Sequence, residues 1–348
     1  MIVFTVLAAG LMPGAETAPD RQPQLAVRGD TVAMVFGRGN EILFERSGDG
    51  GATFSEPEVV GALPVIALGR HRGPRVAFAG SAILVLAIGG GARDQSDLHS
   101  WRSTDGGKSW SKALVVNDVP GSAREGLHAL AADAGGHAAA VWLDLRAPGT
   151  RLYGAFSNDA GASWSKNQVV YESTGGTICQ CCHPSLLALG GGQFAVMFRN
   201  VSSGVRDMYL ARIQDGSVVS PAAKLGRGTW ELNACPMDGG GLALSGSQIL
   251  TAWRRDHDLF LATPGDAEER IGTGKDVALA VSGGNPIAVW NQDGRIEVRI
   301  SNRTGQLSES GAFPVVAALP DGRALAAWEE GGRIATRRLS AATLTSAR

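Results

Sequence analysis

Ser47-Gly-Asp-Gly-Gly-Ala-Thr-Phe54, Ser103-Thr-Asp-Gly-Gly-Lys-Ser-Trp110 and Ser157-Asn-Asp-Ala-Gly-Ala-Ser-Trp164 are three versions of one phrase, S-x-D-x-G-x-[ST]-[FW]. The phrase reads as a tight turn. An aspartate carboxylate accepts backbone N–H groups, glycine takes the left-handed conformation, and the closing aromatic packs the turn onto a sheet. The copies start 56 and 54 residues apart, so the turn belongs to a repeating unit.

Working outward from the turns, the unit has a second marker. Short β-branched or Ala-rich runs end repeatedly in a large apolar anchor: AMVF36, LAI88, AVW142, VMF198, TAW253, AVW290 and AAW328. The anchors are separated by 52, 54, 56, 55, 37 and 38 residues, a period that signals a propeller or solenoid. Helical periodicity is nearly absent, and 48 glycines punctuate the apolar runs. The expectation is all-β: a β-propeller of four-stranded antiparallel blades, seven by repeat count, with units starting near residues 23, 74, 126, 183, 235, 276 and 313. The last unit has material for three strands. A ring must close to hide its edges, so either a segment before residue 30 or the tail at Thr343–Arg348 is expected to complete it.

The three turns resemble the Asp boxes of the BNR-repeat, sialidase-like β-propellers. That resemblance implies six blades where the count gives seven. It makes Asp49, Asp105 and Asp159 structural, on the face away from the ligand. It also implies exo-sialidase-type hydrolysis of acidic sugars, which needs arginines gripping a carboxylate, an acid/base Asp and a Tyr activated by a Glu. Asp144, Asp94 and Asp207 are the acid/base candidates. The Arg-Ile-Pro signature is missing, with Gly73-Pro74-Arg75-Val76 the nearest substitute. The three tyrosines fall inside third strands (Tyr153, Tyr209) or on the rim (Tyr171), none of them central.

If the boxes join strands three and four on one face, the inter-blade and strand two–three connections share the other face. Those connections are rich in cations, and Arg72, Arg75, His128, Arg199 and Arg254 are the ligand-binding candidates for a small anionic ligand. Each alone is also readable as a solvated loop charge.

Cysteines supply the most specific chemical signal after the boxes. Cys179-Gln-Cys181-Cys182-His183-Pro184 opens one unit and Cys235-Pro-Met237-Asp238 opens the next, with Cys182 16 residues before Phe198 and Cys235 18 before Trp253. Four readings stand: disulfides linking Cys235 to the run; a soft-metal site of Cys179, Cys181, Cys182, His183, Cys235 and Met237, suited to copper as Cu(I) and less specifically to zinc; a c-type haem through C-x-x-C-H, less supported because Pro184 follows and a strand comes next; and a reactive thiol pair. Because side chains alternate along a strand, the run must bend to present all three sulfurs together.

A net charge of −1 points to neither nucleic acid nor an anionic membrane, and no apolar run is long enough to span a bilayer. Residues 1–22 read as a signal peptide or a closing strand and 23–348 as one propeller domain, which gives a periplasmic or extracellular location. The leading function is a central Cys/Met/His site, copper-binding or redox. The alternatives are the glycoside hydrolase and a protein-interaction scaffold held by disulfides.

Overall fold

The computed structural model describes residues 18–92 and 95–340. Seven antiparallel sheets follow one another along the chain as the blades of a propeller, with no α-helix among the described residues. The blades begin with the strands Asp20–Arg28, Arg75–Ala79, His128–Ala132, Ser185–Gly190, Gly240–Ser245, Lys275–Ser282 and Ala312–Ala318. The expected count of seven holds, rather than the six implied by the resemblance. Five blades are four-stranded; the second carries an additional two-residue strand, and the last has three strands among the described residues.

The anchors explain why the ring is rigid. Each lies on the second strand of its blade and is buried. In the first blade, Ala33 and Val35 pack into the core shared with the second blade, while Met34 and Phe36 pack into the core shared with the seventh. Alternation thus buries both faces of the strand, and the run is apolar without interruption. Equivalent cores join every neighbouring pair of blades round the ring.

Residues 20–28 form the inner strand of the first blade rather than a fourth strand of the last. The seam is held by the Asp20 amide donating to the Gly332 carbonyl (2.9 Å) and by Glu329, which accepts from the Gln22 amide (2.8 Å) and pairs with Arg21 (3.0 Å). The proposed leader and the Thr343–Arg348 tail lie outside the described residues.

Each aspartate turn joins third and fourth strands. In the second blade, the Ser103 and Ser109 hydroxyls donate to Asp105 (2.8 and 2.5 Å), and the Gly107 amide donates to Ser103 Oγ (2.9 Å). The glycine is required by more than its φ of 96°: a Cβ there would sit 2.2 Å from the Phe44 ring of the preceding blade. Trp110 meets the same ring edge-on at 5.3 Å, and Trp164 donates to Ser100 Oγ of its own preceding blade (3.0 Å). The turns therefore clip adjacent blades together.

Candidate functional site

Strand register fixes the faces. Arg75 pairs with Leu86 and Ile83 pairs with Ser103, so the start of the inner strand and the aspartate turn occupy opposite ends of one blade. The inter-blade connections converge at the mouth of the central channel, on the end away from the turns. The channel holds a cavity of about 280 Å³ walled by inner strands of all seven blades, including Leu25, Val76, Leu130, Leu186, Leu242, Leu279 and Val316.

The Cys179–His183 segment follows the bridge Ile178↔Asn200 and then turns at residues 180–182 instead of running straight. That bend gathers all three buried sulfurs within 4.8 Å of one another, Cys179 Sγ lying 3.3 Å from Cys182 Sγ and 3.6 Å from Cys181 Sγ. Arg206 Nη1 donates to Cys179 Sγ (3.2 Å), and Met237 packs against the cluster. Contacts with the Cys181 and Cys182 thiols, reinforced by the Arg206 guanidinium, hold the Cys179 thiol well below its usual range. The same contacts push Cys181 up, and burial pushes Cys182 up. All four cysteines are unbridged.

The expected convergence of Cys235 with this run is not what the structure shows. Cys235 is exposed and lies outside the group of three; that loop packs its methionine, not its cysteine, against the sulfurs. His183 also leaves the sulfur set. It lines the channel, which none of the cysteines does, and stacks on His71 with ring centroids 4.1 Å apart.

That stacking belongs to a second cluster that the sequence reading did not assemble. An excursion between Val65–Ile66 and Arg75–Ala79, both paired to the second strand of their blade, lifts Arg70-His71-Arg72 over the mouth. His71 Nε2 lies 2.7 Å from Asp276 Oδ1, and His71, Asp238 and Asp276 bring one ligand atom each within 4.8 Å of the others. Asp276 occupies the left-handed region (φ 58°) in a register shift between Lys275 and Ala278, a bulge that turns its side chain to the mouth. The Asp276 amide donates to Asp238 Oδ2 (3.1 Å), leaving Asp238 Oδ1 buried with no hydrogen-bond partner. Burial, then the Asp276 charge, pushes Asp238 up to about 6. Burial, with His71 and Arg75 beside it, holds His183 neutral, and its Nδ1 is also without a partner.

The arginine candidates are placed near the mouth but mostly hold the backbone together. Arg199, 1% exposed, donates to the carbonyls of Asp238 (3.3 Å), Arg206 (2.9 Å) and Arg254 (2.9 Å). Arg75 donates to the carbonyls of His71, Gly73 and Pro74, and burial lowers it to about 10. Arg72 donates to the Glu125 carbonyl and pairs with its carboxylate at 3.6 Å. Arg254 lies over Trp230 (5.5 Å) and 3.9 Å from Asp238. His128 is fully buried beneath this layer, lowered to about 3 first by burial and then by Arg75.

Two of the three acid/base candidates are engaged in other contacts. Asp144 accepts from Trp142 Nε1 (2.8 Å) and from the Arg146 amide and guanidinium (2.9–3.0 Å). Asp207 accepts from the Trp230 amide (2.9 Å) and pairs with Lys224 (2.9 Å). Asp94 lies outside the described residues. Tyr153 sits under Arg146 (4.0 Å), while Tyr171 and Tyr209 flank Phe198, and none lines the channel cavity.

No known protein-family model matches the chain, and no curated protein sequence matches it. Solved structures do share its fold. An ulvan lyase of polysaccharide lyase family 25, bound to a GlcA–Rha3S saccharide, superposes with TM-score 0.56 at 10% identity over 93% of this chain and 94% of its own. The NanB sialidase of Streptococcus pneumoniae gives 0.50 at 13%, over 96% and 70%. A prolyl endopeptidase gives 0.53 at 11%, over 94% of this chain and 48% of its own. Enzymes named for a lyase, a sialidase and a peptidase share this ring, so chemistry must be argued from the site itself.

Proposed function

We propose that this chain is an exported propeller that binds a soft metal ion, Cu(I), through Cys179, Cys181 and Cys182. The observation that carries the reading is the mutual approach of three buried sulfurs within 4.8 Å under a guanidinium. Thiolate and thioether donors select Cu(I) over harder ions. Three thiolates around a monovalent ion leave excess negative charge, which Arg206 and, acting on Cys182, Arg199 offset. Met237 supplies a thioether at the edge of the cluster, polarised by Arg70 Nη1 at 3.4 Å. His183 faces the channel instead of the sulfurs, which favours an ion over a haem held by C-x-x-C-H.

The three aspartate turns support descent from the Asp-box, sialidase-like propellers, with the central site diverged. A hydrolase reading has less behind it, since Asp144 and Asp207 have their lone pairs committed and the tyrosines sit off-centre. A thiol redox reading has one specific support, the 3.3 Å approach of Cys179 and Cys182.

Competition titration of reduced protein against a chromophoric Cu(I) chelator tests the proposal. One Cu(I) per chain is expected, with affinity falling at least tenfold in Cys181→Ser and Cys182→Ser and unchanged in Cys235→Ser. Equal binding by all these variants would overturn it. Formation of a Cys179–Cys182 disulfide by mild oxidant, without Cu(I) uptake by the reduced form, would replace it with the redox reading.

A further inference from the structure

The geometry points to a second, harder metal site: a divalent first-row cation held by His71, Asp238 and Asp276 at the channel mouth. The donor set differs in kind from the sulfur cluster. One imidazole nitrogen and two carboxylates form a set that suits borderline and hard divalent ions, not Cu(I). The three ligand atoms already lie within 4.8 Å of one another although they come from three separate blades: His71 and Asp238 from the segments ahead of two inner strands, Asp276 from the bulged start of a third. A salt link would account for the His71–Asp276 contact, and the Asp276 amide accounts for Asp238 Oδ2. Neither accounts for Asp238 Oδ1, an oxygen on a side chain 1% exposed, with no donor. An unpaired buried carboxylate oxygen is costly unless a proton or a cation satisfies it.

The surrounding arginines place no donor on that oxygen. Arg199 spends its N–H groups on three backbone carbonyls, and Arg75 on three more. Arg254 approaches Asp238 only to 3.9 Å. His183 stacks on His71, and its buried Nδ1 is unpartnered. The backbone is arranged for the pose, with His71 (φ 65°) and Asp276 (φ 58°) both left-handed, a conformation side-chain-bearing residues adopt at some cost.

The two sites adjoin through consecutive residues. Met237 packs on the sulfurs while Asp238 joins the carboxylates; Cys182 belongs to the first cluster while His183 stacks on the second; Arg70 donates to Met237 while His71 is a ligand. A soft and a hard ion would thus be separated by single steps of the chain, about 3.8 Å between Cα atoms.

Mn²⁺ separates this inference from the copper reading, because it prefers oxygen and nitrogen donors to thiolates. Titration of the full chain with MnCl₂, followed by the electron paramagnetic resonance signal of free Mn²⁺, is expected to show one bound ion. Affinity should fall at least tenfold in Asp276→Asn and in His71→Ala, and stay within twofold of the native value in Cys181→Ser. Should Asp276→Asn not fold, the partly exposed His71 provides the deciding variant. No bound Mn²⁺ in the native chain, or binding that His71→Ala leaves within twofold, overturns the site whatever the outcome with Cu(I).

Discussion

The two ends of the ring follow opposite rules. At the aspartate turns the carboxylates have their donors: Asp105 is held down to about 2 by the Ser109, Ser103 and backbone hydrogen bonds, and in Asp159 burial, the largest single effect, pushes up but the equivalent bonds together still hold it down to about 2. At the channel mouth three thiols crowd together, Asp238 is pushed up, and Asp238 Oδ1, His183 Nδ1, His128 Nδ1 and Asn200 Oδ1 are buried without partners. One end satisfies its carboxylates and holds blades together, with Trp110 Nε1 its single buried unpartnered group among the described residues. The other leaves polar groups unpaired at several adjacent positions, and such violations collect where a protein does something other than fold.

The sharpest way to break that comparison is at Arg199, which ties three mouth loops through their carbonyls. Arg199→Ala should destabilise by roughly 3–5 kcal/mol, because it strands several buried acceptors at once. Arg199→Lys should not restore the loss, lacking the planar fork. Urea unfolding measures both; a loss as small as that of a surface substitution would mean the mouth loops are held by something else.

Glycines give a matched pair. A Cβ at Gly239 would lie 2.3 Å from the His183 carbonyl and 2.7 Å from its ring, whereas Gly48, beside the first turn, has open space. Gly239→Ala should cost roughly 1–3 kcal/mol as an overpacked site. Gly48→Ala should stay within about 0.5 kcal/mol. Similar losses at both would erase the distinction drawn between the two ends.

Acid and base act oppositely on the two ends. Asp238 rises from 3.8 to about 6 on folding, so between these values the native state binds more protons than the unfolded chain. Its contribution to stability therefore declines as pH rises from about 4 to 6, and Asp238→Asn should abolish that decline. Asp105 and Asp159 are depressed, so their contribution is full above about pH 4 and is lost as pH falls towards 2. Chemical unfolding at stepped pH, with native and variant chains compared, reads both slopes. An unaltered slope between pH 4 and 6 in Asp238→Asn would contradict the assignment.

The smallest effect belongs to the turns themselves. Asp105→Ala should lower the melting temperature by no more than a few degrees and leave Cu(I) and Mn²⁺ titrations unchanged, since the turn clips Phe44 of the preceding blade and lies at the far end from the mouth. A change in metal affinity would link two ends that the strand register separates.

These contrasts also mark what could be read from the sequence. The ring was legible because its signals are local and repeated: a turn phrase, an anchor, a period. Blade number followed from the anchors even where the final units are short. The sulfur cluster was legible as a motif but not as a shape, since strand alternation forbids three adjacent sulfurs and only the bend at residues 180–182 brings them together. Cys235 misled because similar offsets fix a residue's place in a blade, not the direction of its side chain. Asp276 left a weaker trace. It lies in an unmarked Gly274-Lys-Asp276 stretch, and its role arises from a bulge and from partners 38 and 205 residues away. A charged residue opening an otherwise apolar inner strand was the available signal.

The central claim concerns the sulfurs, and copper K-edge X-ray absorption on the Cu(I)-loaded chain tests it most directly. The expected result is a first shell of sulfur alone, close to three scatterers, reduced in Cys181→Ser and unchanged in Cys235→Ser. A shell of nitrogen or oxygen, or an unaltered spectrum when Cys181 is replaced, would contradict it.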